Sequence, residues 1–443
     1  MISPLRRREI LAALRRGTVP RQGLDALAVG LERFERALGE ELEAVRLGGA
    51  VFKAVRGEYG AGKTFFARWL EDRARTLGFA TSEVQISETE TPLHRIETVY
   101  RRLMERLAIA STPQAAWRAV VDGWFFHLEE AVLATGEIAE ADTARLVERT
   151  NELMERRLAE VTRTAPAFGA ALRGYRTAMA AGEHAIAEGL LAWLAGQPNV
   201  AAAVKRWAGV KGEVDHFGAL SFLQGLLAIL RDSGHPGLVL VLDELETLQR
   251  VRGDVREKGL NALRQLIDEV DGGRYPGLYV LVTGTPAFFD GPMGVGRLAP
   301  LAARLHVDFS GDPRFDNPRA VQVRLRPFDL AGLEEVGLRV RDLYADSSAV
   351  PERIHALAGD AYVAELARAV AGELGGRVGV APRLFLKKLV ADVLDRIDQF
   401  ADFNPRRDYQ LTLTAGELSP EERTGATDPG RSLRDPDDIE LDL

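Results

Sequence analysis

The residues best suited to do chemistry stand in one short segment, positions 57 to 64. The segment reads Gly-Glu-Tyr-Gly-Ala-Gly-Lys-Thr, which matches the Gly-x4-Gly-Lys-Ser/Thr pattern of a phosphate-binding loop. Backbone N–H groups of such a loop point at phosphate oxygens, and the start of the following helix adds positive potential. We therefore expect phosphate contacts from Gly57, Glu58, Tyr59, Gly60, Ala61, Gly62, Lys63, Thr64 and Phe65.

The segments on either side of this loop support the same interpretation. An apolar run typical of a strand, Ala50–Val55, precedes the loop, and a helical pattern, Phe65–Leu70, follows it. In this setting Lys63 would reach the β- and γ-phosphates of ATP, and Thr64 would hold Mg²⁺. The alternative is a Gly-rich turn that only joins a strand to a helix.

A second motif, which is acidic, supplies the carboxylates that a phosphate-binding loop needs for hydrolysis. The run Leu238–Leu242 is continuously apolar, as in a strand buried on both faces of a parallel sheet, and it ends in Asp243 and Glu244. Asp243 would bind Mg²⁺ through water, and Glu244 would polarise the attacking water. Glu246 could be a further acidic contact, although a solvated carboxylate in the first turn of a helix is the simpler interpretation.

Further strands predict the fold class. A helical pattern at about 256 to 271 leads into Leu278–Thr283, and strand patterns also occur at Thr81–Ser87 and Val321–Arg326. Together with the two strands above, they predict a doubly wound α/β fold with a five-stranded parallel sheet. Thr283, at a strand tip, would sense the γ-phosphate or else cap a turn before Gly284. Ser87 would couple ATP to neighbouring parts of the chain or, more simply, cap a helix near Leu93.

The spacing of the motifs predicts how the chain is divided. About 180 residues separate Lys63 from Asp243, far more than a compact βαβ unit needs. The intervening sequence is rich in amphipathic helical runs, which we interpret as an insertion of three to five helices. The predicted units are an N-terminal linker with the first half of the core at 1–111, the helical insertion at 112–215, the second half of the core at 216–328, a helical lid at 329–400, and a partly disordered extension at 401–443.

Composition narrows the class of protein. The chain has 443 residues, a formal net charge of −8 and no cysteine, which excludes disulfides, thiolate metal sites and thiol catalysis. The negative net charge argues against a protein that binds nucleic acids non-specifically over much of its surface. No apolar run approaches the roughly 18 residues of a membrane span, and no signal peptide is evident, so we expect a cytoplasmic protein.

Taken together, these motifs resemble those of AAA+ ATPases, in the branch near the archaeal replication initiators. Within that branch, the chain is similar to the BrxD-type ATP-binding proteins of bacteriophage-exclusion (BREX) defence systems. The segments that carry this resemblance are Arg16–Pro20, Phe52–Phe66, Val84–His94 and Leu242–Leu248.

The resemblance implies roles for residues outside the loop. Thr283 resembles a first sensor of the γ-phosphate, and Arg383 a second sensor on the C-terminal lid, which is either purely helical or carries a winged-helix element. Arg304 resembles an arginine finger that reaches the nucleotide of a neighbouring subunit, and Val19 and Pro20 resemble the linker beside the adenine. For Arg304 and Arg383, an ordinary structural role in an arginine-rich protein is the alternative.

The resemblance also implies a function. It indicates an ATP-hydrolysing component of an antiviral defence complex that acts with partner proteins on or near DNA. A nucleotide-dependent switch with little turnover is the main alternative, and a small-molecule kinase is a weaker one. The sequence leaves open whether the chain forms a homo-oligomer and whether it contacts DNA directly.

Overall fold

Five parallel strands form the centre of the molecule, in a computed structural model that describes residues 2–136, 142–373 and 382–411. Every neighbouring pair is parallel, and the order across the sheet is β2-β3-β4-β1-β5. This confirms the predicted α/β class and the five-stranded parallel sheet. The strands are β1 (Val51–Arg56), β2 (Ala80–Gln85), β3 (Leu238–Asp243), β4 (Leu278–Gly284) and β5 (Gln322–Arg324).

The strands follow the apolar runs because both faces of the sheet are covered. All residues of β3 and β4 are buried, which explains why their sequences do not alternate between apolar and polar residues. β2 ends two residues before its predicted end because the chain turns at Ser87. The Ser87 hydroxyl accepts hydrogen bonds from the N–H groups of Glu90 (3.1 Å) and Thr91 (2.9 Å). Ser87 therefore caps a turn ahead of the next helix, which begins at Ile96.

Helices cover the sheet on both faces. One face packs against α2 (Glu32–Arg46) and α3 (Lys63–Thr76), where Phe66 contacts the rings of Phe34 and Trp69. The other face packs against the larger group of helices. Between β2 and β4, α4 (Ile96–Arg106) precedes the predicted insertion. α11 (His216–Asp232) and α12 (Gly253–Asp271) follow it.

Among the described residues between 112 and 215, the structure has six helices, whereas we expected three to five. Two additional breaks explain the difference: one follows Arg157, and the other lies at Pro166, whose ring is compatible with the first turn of a helix but not with its interior. The helices here are α5 (Trp117–Leu133), α6 (Thr143–Arg157), α7 (Ala159–Thr164), α8 (Pro166–Ala180), α9 (His184–Leu194) and α10 (Ala202–Trp207).

These helices share a hydrophobic core with the sheet. Phe222 on α11 contacts three aromatic rings from different helices, with centroid distances of 6.2 Å to Tyr100, 5.1 Å to Phe168 and 5.5 Å to Trp193. Aromatic pairs at these distances contribute beyond their buried area, so Phe222 joins the inserted helices to the core. The predicted unit boundaries stay predictions.

The helices after the sheet form a second core with the N-terminal helix, α1 (Pro4–Arg15). Ile10, Leu11 and Leu14 of α1 are buried in this cluster. Arg15 donates two hydrogen bonds to Asp395, of 2.6 and 2.8 Å, which fix the register of α1.

Two short helices and the C-terminal helices complete the chain. Between β4 and β5 lie α13 (Pro286–Asp290) and α14 (Ala299–Leu305). The helices after β5 are α15 (Leu330–Ala345), α16 (Pro351–Leu357), α17 (Asp360–Glu373), α18 (Pro382–Lys387), α19 (Asp395–Gln399) and α20 (Pro405–Asp408), with a π-helical turn at Lys388–Leu394 between α18 and α19. The described residues from 329 onward contain no strand, and a winged-helix element stays a prediction. Most of the predicted extension at 401–443 lies outside the described residues.

Candidate functional site

Glycines determine the backbone shape of the loop between β1 and α3. Gly60 and Gly62 adopt left-handed backbone angles, with φ of 78° and 89°, which side chains larger than hydrogen disfavour. Gly57 is closely surrounded, because a Cβ atom there would stand 3.2 Å from Ala61 Cβ and 3.3 Å from Leu325 Cβ. The loop therefore needs its glycines for conformation and for space.

Lys63 is buried at the first position of α3 and is held by its own loop. Its ammonium donates to the carbonyl oxygen of Gly57 at 3.0 Å, and it lies 5.0 Å from the centre of the Tyr59 ring. Glu246 adds an ion pair, with 3.4 Å between Lys63 Nζ and Glu246 Oε1. The Lys63 ammonium, which would contact a bound phosphate, is thus already surrounded by a carbonyl oxygen, an aromatic ring and a carboxylate.

Thr64 and Asp243 meet although they are 179 positions apart in sequence. The Thr64 hydroxyl donates to Asp243 Oδ2 at 3.0 Å. The other carboxylate oxygen, Oδ1, accepts a short hydrogen bond from the Thr283 hydroxyl and a 3.1 Å bond from the N–H of Glu244. Asp243 is consequently fixed from both sides, at the carboxyl ends of β3 and β4.

Thr283 lies inside this network and does not line the cleft. It is fully buried, and besides its bond to Asp243 its hydroxyl accepts from the N–H of Glu244 at 3.1 Å. The cap of the next helix is supplied by Thr285, whose side chain accepts from the N–H of Phe288 at 3.3 Å. In this structure Thr283 orients the acidic pair.

Glu244 has an unusual backbone conformation. Its φ of 64° and ψ of 46° place it in the left-handed region, which costs a residue with a side chain about 1–2 kcal/mol. This conformation aims its N–H at Asp243 and Thr283 and turns its carboxylate toward β2. There, Gln85 Nε2 donates to Glu244 Oε2 at 2.8 Å.

Gln85 is a site residue that the sequence interpretation did not single out. It is the last residue of β2, and it stands opposite Asp243 in the register of β2 and β3. A polar residue at the carboxyl end of a strand adjacent to the acidic strand is the signal that would have identified it.

Glu246 contradicts the interpretation as a solvated carboxylate. Only 4% of the residue is exposed, because the short 3-10 helix Leu245–Gln249 folds it under the loop toward Lys63. Burial raises the pKa of the Glu246 carboxyl above its usual value, and the Lys63 ammonium partly opposes this. This burial is not evident from the sequence because the direction of a side chain after a strand depends on the turn that follows it.

A cleft lies between the loop, the acidic strand end and the C-terminal helices. The segment Gly17–Pro20, which follows α1, forms one wall, and Phe65, Phe328 and Leu386 contribute apolar surface. Of the predicted site residues, those that line the cleft are Val19, Pro20, Tyr59, Gly60, Gly62, Lys63, Thr64, Phe65, Asp243, Glu244 and Arg383. Gly57, Glu58 and Ala61 belong to the same loop but do not line the cleft.

Arg383 reaches the cleft from α18. It packs beside Gly17, where a Cβ atom would stand 3.6 Å from Arg383 Cγ. The N-terminal segment and the C-terminal helices therefore meet at the cleft.

Arg304 lies elsewhere, on α14. It forms an ion pair with Asp268 of α12 and donates to the carbonyl oxygen of Pro300 at 2.8 Å. The structure does not bring Arg304 to the cleft of its own chain.

The residues around Asp243 suit a magnesium ion. Mg²⁺ prefers oxygen ligands and usually keeps several waters, so one hydroxyl and one carboxylate suffice when phosphates supply the rest. The Thr64 hydroxyl and the Asp243 carboxylate are adjacent and face the cleft, which provides such a pair.

A comparison with protein families gives a match over most of the chain. The family model described as "BREX system ATP-binding protein BrxC/D" matches residues 2–413. None of the curated proteins compared with the chain matches it. Within the described residues, no helix is both long and apolar enough to cross a bilayer.

Proposed function

Because the chain belongs to the BREX system ATP-binding protein BrxC/D family, we propose that it binds ATP and Mg²⁺ in this cleft and hydrolyses ATP as part of an anti-phage defence system. The resemblance found in the sequence is confirmed at the level of the family. The AAA+ assignment, hydrolysis and the action on or near DNA are proposals.

The contact between Thr64 and Asp243 carries this proposal. It joins the phosphate-binding loop to the acidic end of β3 at 3.0 Å, across 179 positions of sequence. A loop that merely connected a strand to a helix would not require a carboxylate beside its hydroxyl. The strand order supports a P-loop fold of the AAA+ type, since β1 with its loop lies beside β4 and one strand away from β3.

In the proposed reaction, the site residues have separate roles in phosphate binding, Mg²⁺ binding and proton transfer. The loop N–H groups and Lys63 would bind the phosphates, while Thr64 and Asp243 would hold Mg²⁺, which would supply charge neutralisation at the phosphate oxygens. Glu244 accepts a proton from the attacking water, and Thr283 keeps Asp243 and Glu244 in place.

Two arginines complete the proposed mechanism. Arg383 on α18 contacts the γ-phosphate when the C-terminal helices close over the cleft, and thereby acts as a lid sensor. Arg304 reaches the nucleotide of a second copy of the chain. An arginine supplied in this manner accelerates hydrolysis roughly 10³- to 10⁵-fold in related nucleotidases, so turnover would depend on assembly.

A nucleotide-dependent switch is the second candidate, and the walls of the cleft favour it as a contributing role. Leu14 and Leu386, which line the cleft, belong to the second core, whereas Lys63 begins α3, which packs on the sheet. A ligand that touches both sets of residues couples its binding to the relative position of the C-terminal helices.

Phosphate release separates these two functions. The wild type and the Glu244→Gln variant are compared with Mg-ATP alone, with added DNA, and with the other proteins of the defence system. ATPase action predicts phosphate release by the wild type under at least one of these conditions and its loss in Glu244→Gln. Binding of ATP without any release would leave the switch and refute the ATPase.

Thermal denaturation tests the binding site separately. A ligand at 100 times its Kd stabilises a protein by about 2.7 kcal/mol. We expect Mg-ATP to raise the Tm of the wild type and to have no effect on Lys63→Ala. An equal rise in both proteins would contradict the assignment of the loop.

A further inference from the structure

The least expected charge in the cleft is the Glu246 carboxylate. It is buried under the phosphate-binding loop, one oxygen lies 3.4 Å from Lys63 Nζ, and it lines the cleft. Its second oxygen, Oε2, is buried and accepts no hydrogen bond from any residue that the structure describes. Buried carboxylate oxygens almost always have partners, so this one calls for a functional explanation.

The position of Lys63 supplies that explanation. The Lys63 ammonium is held between the carbonyl oxygen of Gly57, the face of Tyr59 and Glu246. A bound phosphate at this loop needs the same ammonium. The bound phosphate must therefore share the Lys63 ammonium with Glu246 or pull the ammonium away from Glu246. In either case the buried Glu246 carboxylate lies close to negative phosphate charges, and water screens this repulsion poorly.

We propose that Glu246 competes with bound phosphate for Lys63 and thereby lowers the affinity of the cleft for nucleotide, more strongly for ATP than for ADP. This inference rests on the proposed function, since it assumes that the cleft binds nucleotide. The preference arises because ATP carries one more phosphate, and Lys63 is placed to reach the β- and γ-phosphates. Glu246 is thus a positioning residue that acts through Lys63.

A purely structural ion pair would behave differently. Removing one partner of a structural pair destabilises the protein with and without ligand, and affinity falls as the site loosens. A competing carboxylate predicts the opposite sign for affinity. Replacing Glu246 by a neutral residue of the same shape should strengthen nucleotide binding.

The experiment is a titration with fluorescent ATP and ADP analogues in the presence of Mg²⁺. The proteins are the wild type, Glu246→Gln and Glu257→Gln, the last of which removes an exposed carboxylate on α12 as a matched control. We expect Glu246→Gln to lower the Kd for the ATP analogue about tenfold and that for the ADP analogue about threefold, as expected for the loss of one poorly screened charge. Glu257→Gln should match the wild type.

Thermal denaturation gives a second readout on the same proteins. Glu246→Gln should have a lower Tm than the wild type without nucleotide, because Lys63 loses its counter-charge, and a larger rise in Tm with Mg-ATP. Glu246→Met, which removes the charge with an apolar side chain of similar length, serves if the glutamine variant does not fold.

The possible failures are distinguishable. If the wild type binds neither analogue, or Lys63→Ala binds both as the wild type does, the proposed function fails. If the wild type binds both and the neutral variants bind them equally well or more weakly, only the role of Glu246 is refuted. If Glu246→Gln lowers the Kd for the ATP and ADP analogues by the same factor, Glu246 does not weaken ATP binding more than ADP binding, and that part of the proposal is overturned.

Discussion

Gln85 and Glu244 are joined across the carboxyl ends of β2 and β3, where the amide of Gln85 donates a 2.8 Å hydrogen bond to the Glu244 carboxylate. The bond occupies an oxygen of the residue that we assign as the base, and it turns this oxygen toward the edge strand. Gln85 itself is exposed, so this contact is open to change when a ligand or a partner approaches β2.

Gln85→Leu tests whether this bond restrains hydrolysis. A hydrogen bond to a charged group contributes about 1.5–3 kcal/mol, and its loss frees the Glu244 carboxylate to accept a proton from water. We expect kcat for phosphate release to rise several-fold with KM for ATP little changed. A kcat that falls together with that of Glu244→Gln would show that Gln85 supports the productive orientation of Glu244.

Arg383→Ala tests the contribution of the C-terminal helices. If Arg383 contacts the γ-phosphate only when these helices close, its loss should lower kcat about 10- to 100-fold and change the Kd for ADP little. Arg368→Ala is the matched control, because Arg368 is an exposed arginine on α17 of the same helical group and does not line the cleft. Equal activity of Arg383→Ala and the control would exclude the sensor role.

Arg304→Ala tests action between subunits. Arg304 pairs with Asp268 near the surface, and pairs of this kind contribute at most about 1 kcal/mol, so the variant should keep nearly the wild-type Tm. If Arg304 acts on a neighbouring copy, kcat should fall at least about 10³-fold, and only at protein concentrations where mass photometry detects oligomers.

Asp268→Asn separates the ion pair from the arginine. It breaks the same contact and retains Arg304, so its activity should stay close to that of the wild type. A protein that is monomeric with and without ATP, and hydrolyses ATP normally after Arg304→Ala, would leave Arg304 with a structural role.

Glu71 predicts a pH dependence of stability. Burial in α3, together with the nearby Glu83 carboxylate, raises the pKa of Glu71 from 4.5 to about 8, although Arg75 and Arg68 oppose the shift. Between these two pKa values the folded protein holds a proton that the unfolded chain releases. The contribution of Glu71 to the free energy of unfolding therefore falls as pH rises through this window, by at most about 1.4 kcal/mol per pH unit, and levels off above the folded pKa.

Urea denaturation of Glu71→Gln measures this contribution. The amide stays neutral, so the variant should gain stability relative to the wild type as pH rises from about 5.5 to about 8, by up to about 3 kcal/mol. A difference between the two proteins that is independent of pH would show that Glu71 has an ordinary pKa in the folded state.

Local sequence was sufficient to predict most of the candidate site. The glycine pattern at 57 to 64 specifies its own backbone geometry, and a continuous apolar run that ends in two acids specifies a buried strand with charges at its tip. The inserted helices were predicted as a class, but their number was not, because breaks such as the one at Pro166 depend on local packing as well as on propensity.

The residues that sequence reasoning missed all act through contacts with distant segments. Glu246 looked like a solvated carboxylate, yet it is buried because the 3-10 helix after β3 turns it toward Lys63. Gln85 gained a role only because β2 lies beside β3 in the sheet.

By itself, the sequence determined the class of this protein, its candidate phosphate-binding loop and its acidic strand end, because each of these is encoded by neighbouring residues. The tertiary structure alone decided that Thr64 meets Asp243, that Glu246 meets Lys63, and that α1 packs with the C-terminal helices to form one wall of the cleft. Such pairings depend on strand order and helix register, which arise from the burial of the whole core and are not encoded in any single segment.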